Sequence, residues 1–279
     1  MTMINADGAK LYVEETGSGY PIIFVHEFGA DHREWEAQVR YFSRQYRCVT
    51  FNARGYPPSE VPTSLDAYGW EHSRDDIAAV MRGLGIEKAH IVGLSMGAYA
   101  CLQFGLRYPE MASALVVAGV GSGSPPEIHD AWRTQSLATG REFLEKGMHA
   151  MAELTAHSPT RIQLFKKDPR AWHEFVRHLR EHSALGMSNT VSRYQALRPS
   201  LQASGAALEA LTLPVLLAVG DEDEPCLQTN LFLKEKIPGA GLWVCPNTGH
   251  AINLEEPAAF NAAVFEFLSL AERGQWPSR

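Results

Sequence analysis

Cysteine is scarce in this chain: Cys48, Cys101, Cys226 and Cys245 are four in 279 residues, and none sits in a C-x-x-C pair. That excludes a disulfide-stapled scaffold or a cysteine-rich metal module and fits free thiols in a reducing cytoplasm. Cys101 and Cys245 are expected in the core, and Cys226 partly exposed. Basic residues are also in short supply, 25 Lys and Arg against 32 Asp and Glu, for a net charge of −7. Such a balance argues against a nucleic-acid-binding face. No apolar run is long enough to span a bilayer. The segment Met1–Gly8 has neither the basic start nor the apolar stretch of a secretory leader. Internal repeats and low-complexity tracts are absent too. Hydrophobic residues make up 45% of the chain, which suits a single α/β core carrying an insertion.

The most telling segment is Gly93-Leu94-Ser95-Met96-Gly97. Before it, Ala89-His90-Ile91-Val92 is short, apolar and β-branched and predicts a buried strand. After it, Ala98 to Arg107 predicts a helix that halts at Tyr108-Pro109. A G-x-S-x-G between strand and helix sets a serine hydroxyl on the crest of a sharp turn. Glycines on both sides permit the close backbone approach that the turn requires.

A serine alone is a weak nucleophile; it needs a base, and the base needs an orienting acid. Pro214 to Val219 predicts a core strand that runs into Gly220-Asp221-Glu222-Asp223-Glu224-Pro225. Leu242 to Cys245 predicts a last strand leading into Pro246-Asn247-Thr248-Gly249-His250. Both Asp221 and Asp223 thus stand at a strand's carboxyl end, and the chain order is Ser, Asp, His.

In these motifs and their order, over nearly its whole length, the chain resembles the capped, single-domain α/β-hydrolases. The resemblance implies Ser95 as nucleophile, His250 as base and Asp223 as orienting acid. Asp221 is the competitor, in a place where a turn-forming Asp is common. The segment His26-Glu27-Phe28-Gly29-Ala30 stands where the family usually reads His-Gly. By that correspondence the oxyanion hole is built from the backbone N–H groups of Phe28 and Met96. Glu27 departs from the family's glycine, and an ionised carboxylate pointing inward would oppose the developing charge. Three readings of Glu27 stay open: it ties down its loop, it recognises a donor or cation on the substrate, or burial raises its pKa and makes it a second acid or base. His26 beside it is a further candidate for the substrate site. So is Arg54 in Asn52-Ala53-Arg54-Gly55-Tyr56, which is similar to the family's D-x-R-G. An arginine there more often organises its loop than meets an anionic substrate.

The rest of the chain alternates strand and helix at a spacing that implies a mostly parallel central sheet with helices on both faces. Asp7-Gly8 predicts a hairpin, and helices are expected over 34–44 and 66–84. The glycine- and proline-rich junction 119–126 opens a helical stretch, giving a core of residues 1–121 and 209–279 and a helical cap of residues 122–208. Between Ser122 and Leu208 there are 11 Lys and Arg against 8 Asp and Glu, a balance of +3, so the remainder carries −7 − 3 = −10. A mildly cationic lid of this kind would favour an anionic substrate, although ordinary solvated helix faces are the better account of the charge. His178 and His182 share a helix face, but with no third ligand at a motif spacing no metal is expected. Trp132 is expected to pack the cap or to roof the pocket. The resemblance implies hydrolysis of a small carboxylic ester or lactone without metal or organic cofactor. Amide or carbon–carbon cleavage by the same residues, and a low-turnover binding protein on the same fold, are the alternatives. The expected partner is a small-molecule substrate in the cytoplasm, with no nucleic acid or membrane; a homodimer stays open.

Overall fold

The computed structural model describes residues 2–278. Its eight strands are β1 (Thr2–Ala6), β2 (Ala9–Thr16), β3 (Tyr20–Val25), β4 (Tyr46–Phe51), β5 (Ala89–Leu94), β6 (Ala112–Ala118), β7 (Val215–Gly220) and β8 (Ala240–Cys245). They form one sheet in the order β1-β2-β4-β3-β5-β6-β7-β8. From β4 to β8 every neighbouring pair is parallel, whereas β1 and β2 form an antiparallel hairpin at one edge. The hairpin turns at Asp7-Gly8, where Gly8 has φ 75°, a conformation open to glycine without strain.

Period-two alternation sorts the sheet's side chains into two cores. Ile23 and Val25 of β3 join one cluster, with Ile91, Val117 and Leu217; Ile22 and Phe24 join the other, with Val92, Val116 and Leu216. The first cluster is covered by α2 (Trp70–Gly83), α3 (Met96–Arg107) and α9 (Glu224–Lys236). The second is covered by α1 (Glu36–Phe42) and α11 (Pro257–Glu272), with the short α10 (Ile252–Glu255) beside them. Burial on both faces is why these strands read as unbroken apolar runs, each large side chain contributing about 1.5–3 kcal/mol.

Between β6 and β7 the chain is helical: α4 (Pro126–Ala156), α5 (Ile162–Lys167), α6 (Pro169–Arg180), α7 (Ala184–Thr190) and α8 (Gly205–Glu209). A break at Gly147, with φ 73° and ψ 169°, divides α4. The expected helix over 66–84 starts later, because Leu65–Ala67 is a separate 3-10 turn. Arg54 Nη1 holds that turn by donating to Ala67 O at 2.6 Å, and Tyr68 Oη donates to Pro62 O at 2.9 Å. The expected helix over 34–44 likewise opens as a 3-10 turn, His32–Trp35, before α1. Among the described residues, no helix is long and apolar enough to cross a membrane. All four cysteines are buried and free, Cys226 among them, so its expected exposure is corrected: it lies on the inner side of α9 at 0% exposure.

Candidate active site

Parallel strands place their carboxyl ends on one edge of the sheet, and the loops after β3, β5, β7 and β8 meet there. Ser95 follows β5 directly and adopts φ 52° and ψ −109°, a strained conformation for a residue with a side chain. The turn is possible because both flanking glycines lie against other atoms. A Cβ on Gly97 would fall 2.1 Å from Val25 O, and one on Gly93 would fall 2.5 Å from Cys101 Sγ.

The Ser95 hydroxyl lies 2.8 Å from His250 Nε2, and His250 Nδ1 lies 2.9 Å from Asp223 Oδ2. The structure therefore brings Asp223, not Asp221, to the histidine. Asp221 is exposed and accepts from Thr248 N–H at 3.1 Å, bracing the loop that carries His250. Glu255 clamps the same loop by accepting from Gly249 N–H at 2.6 Å and Ala251 N–H at 3.1 Å. Burial opposes protonation of His250, but the Asp223 charge and its hydrogen bond outweigh it and hold the imidazole's proton affinity well above the ordinary value. Cys226 Sγ lies 3.9 Å from His250 Nδ1 and donates to Gly119 O at 3.2 Å. Burial raises its pKa, which keeps it a thiol. Asp223, Cys226 and His250 are also the one group of potential metal-ligating atoms among the described residues, but they already satisfy one another by hydrogen bonds.

Phe28 follows β3 and Met96 opens α3. Among the described residues, no acceptor meets either backbone N–H. Tyr194, between α7 and α8, steadies the Met96 peptide by donating from its hydroxyl to Met96 O at 2.6 Å.

Glu27 points inward and is 1% exposed. Its Oε2 pairs with Arg161 Nη2 at 2.6 Å and lies 3.7 Å from His250 Nε2. Arg161 comes from the 3-10 turn before α5, with its guanidinium 4.7 Å from the Phe175 ring centroid. Nothing in the spacing of the sequence points to Arg161; the available signal is that a buried Glu27 demands a cation and the helical stretch is rich in them. Glu34 is a second buried carboxyl here, accepting from Glu27 N–H at 2.9 Å. Burial, then the Glu27 charge, pushes Glu34 well above the usual carboxylate range, which favours its neutral acid form. Glu27 therefore does not point away to brace its own loop; it faces the histidine and joins the core to the helical insert. A second link runs from Lys167 Nζ to Thr248 Oγ1 at 3.2 Å and to Glu256 Oε1 at 2.7 Å. A third is backbone contact, since a Cβ on Gly186 would fall 1.9 Å from Gly55 O.

Removing one member of a buried ion pair strands the other, at a cost of about 3–5 kcal/mol. Arg161→Met is expected to lose roughly that much in urea unfolding, and Glu27→Gly/Arg161→Met to recover most of it. A double variant no more stable than Arg161→Met would show that the pair carries little of the effect.

The three candidate substrate contacts His26, Arg54 and Trp132 are each engaged elsewhere. His26 donates from Nδ1 to Glu27 O at 2.8 Å and accepts Ala53 N–H at Nε2 at 2.9 Å, so both ring nitrogens join loops. Arg54 pairs with Asp76 through Nε at 2.9 Å and Nη2 at 2.6 Å, and also donates to Ala67 O and Asp7 O. Its role is to organise its loop. Trp132 donates to Gln195 O at 3.1 Å and packs against Gly123, and no described contact brings it to Ser95. His178 and His182 diverge: His178 accepts from Arg177 Nη2 at 3.1 Å, whereas His182 faces Asp31 at 4.0 Å and the Tyr56 ring. A cleft of about 330 Å³ opens between α1 and α6, lined in part by Glu34, Phe175 and His178, and reaches neither Ser95 nor His250.

Burial pushes His26 and His182 down from 6.5 to about 4. The unfolded chain therefore binds protons at these rings between about pH 6.5 and 4 while the native state does not, and stability is lost as pH falls through that window. The expected loss is roughly 3 kcal/mol per ring. Urea midpoints at about pH 7 and about pH 4.5 check it, and His182→Phe should flatten the slope.

The family model described as alpha/beta hydrolase fold matches residues 20–257. The chain is 26% identical over 264 residues to 3-oxoadipate enol-lactonase 1 of Acinetobacter baylyi, covering 92% of each. It is 27% identical over 280 residues to a 2-hydroxy-6-oxononadienedioate/2-hydroxy-6-oxononatrienedioate hydrolase of Burkholderia vietnamiensis, covering 94% of this chain and 92% of that one. A thermophilic esterase from Thermogutta terrifontis, solved with malate bound, superposes with a TM-score of 0.83 at 25% identity, covering 97% of this chain and 98% of that one. With the sheet order, the strained serine turn and a family match over most of its length, the chain belongs to the α/β-hydrolase family.

Proposed function

We propose that the protein is a serine hydrolase that opens a small carboxylic ester or lactone through an acyl-enzyme on Ser95. The observation that carries this reading is the unbroken chain of hydrogen bonds from Ser95 Oγ through His250 to buried Asp223, at 2.8 and 2.9 Å. In the proposed reaction His250 Nε2 takes the Ser95 proton as Oγ attacks the carbonyl carbon. Asp223 holds the imidazole's orientation and stabilises its cation. The N–H groups of Phe28 and Met96 receive the oxyanion, and His250 then protonates the leaving group. Water, activated by the same histidine, releases the acid. The helical insert would act as the cap over this site, with the Arg161 charge offsetting the Glu27 carboxylate that otherwise faces the developing anion.

The test is mass-spectrometric mapping after treatment with a fluorophosphonate. Labelling at Ser95 that disappears in Ser95→Ala is the expected result. A folded protein that takes no label would sink the reading and favour a binding protein on this fold. A second reading, cleavage of a bond other than an ester, is favoured by the position of Glu27.

A further inference from the structure

Glu27 has more capacity to accept hydrogen bonds than its neighbours use. A carboxylate presents about four lone-pair sites. Arg161 Nη2 occupies one at Oε2, while Oε1 is buried with no partner among the described residues. Oε2 also lies 3.7 Å from His250 Nε2, the atom that on the acyl-transfer reading delivers a proton to the leaving group. An atom receiving that proton sits roughly 2.6–3.2 Å from Nε2, and one on the Glu27 side of the imidazole falls within hydrogen-bond reach of that carboxylate. A buried acceptor left open beside the leaving group calls for a donor on the substrate, because an unfilled buried polar group is costly.

We propose that Glu27 is a specificity-determining residue that selects leaving groups bearing an N–H, so that small amides and carbamates are favoured over the corresponding esters. The inference rests on the acyl-transfer reading and develops its second form, cleavage of a bond other than an ester, in place of the ester or lactone. As the bond from Ser95 Oγ to the acyl carbon forms, the Ser95 proton passes to His250 Nε2. The tetrahedral intermediate collapses as the C–N bond breaks; the bonding pair stays on nitrogen, which takes the proton from Nε2. The hydrogen that nitrogen already carried is not transferred; it is donated to Glu27 in a hydrogen bond. Water then cleaves the acyl-enzyme as it would after an ester. An ester oxygen in the same place has no hydrogen to offer and turns its lone pairs toward a carboxylate, which disfavours it. Arg161 completes the arrangement. Its guanidinium can only donate, so it holds one Glu27 oxygen and leaves the other as an acceptor.

The experiment compares para-nitrobutyranilide with para-nitrophenyl butanoate on the full chain, its Glu27→Gln variant and Glu27→Gly/Arg161→Met. In Glu27→Gln the side-chain oxygen must face the donor-only Arg161, which turns the amide NH2, a donor, toward the leaving group. The ratio of anilide to ester kcat/KM is expected to fall roughly 10–100-fold in that variant, and to fall also in the double variant, which keeps the test available if the single one folds poorly. A ratio that holds in both variants overturns the proposal. So does a wild-type protein that opens the ester and leaves the anilide intact. Ester turnover retained by Ser95→Ala would instead sink the acyl-transfer reading, whichever way the ratio moves.

Discussion

Ser95→Ala is expected to lower kcat on any substrate the protein turns over by roughly 10⁶-fold, leaving only what positioning and the oxyanion donors supply. The size follows from the geometry. Ser95 Oγ is the one oxygen at 2.8 Å from His250 Nε2, and without it no acyl-enzyme forms. The fold should survive, because alanine keeps the Cβ and inherits the same φ of 52° that serine already bears. Steady-state assays together with a melting curve check both halves. A melting temperature near wild type beside abolished turnover is the expected pair, and turnover within tenfold of wild type would exclude Ser95 as the nucleophile.

Asp223→Asn is expected to lower kcat by roughly 10⁴-fold with the site's shape intact. Asp223 is 3% exposed and accepts from His250 Nδ1 at 2.9 Å. An asparagine that presents its NH2 to Nδ1 forces the imidazole hydrogen onto Nε2, where it can no longer take the serine proton. Loss of the carboxylate also removes what lifts the histidine's proton affinity against burial, so the residual rate should be governed by a lower pKa. Asp221→Asn is the control. Its side chain is exposed and bonded to Thr248 N–H, so activity should stay close to wild type. A large loss at Asp221 with little at Asp223 would reverse the assignment.

Much of this site is legible in the sequence because its parts are local. Each of Ser95, Asp223 and His250 follows a strand within a few residues; β5 and β7 show as apolar runs because both of their faces are covered, and β8 as a shorter apolar run at the sheet edge. Parallel pairing then brings their carboxyl ends together. The choice between Asp221 and Asp223 is another matter. Both are acids at the end of β7, and what separates them is that Asp223 turns under α9 while Asp221 remains at the surface. His26 and Arg54 invite a functional reading from their neighbours in the chain. Their donors and acceptors are taken up by backbone and carboxylate groups that only folding brings near. Arg161 illustrates the opposite error. It lies in an unremarkable Ser-Pro-Thr-Arg turn, and its meaning comes from a partner at the far end of the chain. Contacts made across the sheet edge by an inserted segment leave no periodicity to read.

The buried pair of Glu27 and Arg161 also constrains how this protein can change over generations. Exchange of either residue alone would strand a desolvated charge, so a change that replaces both together is expected to cost less than either single step. The two positions, one in the core and one in the insert, are expected to change together. A swap of the helical insert between relatives should carry its function across only when position 27 travels with it.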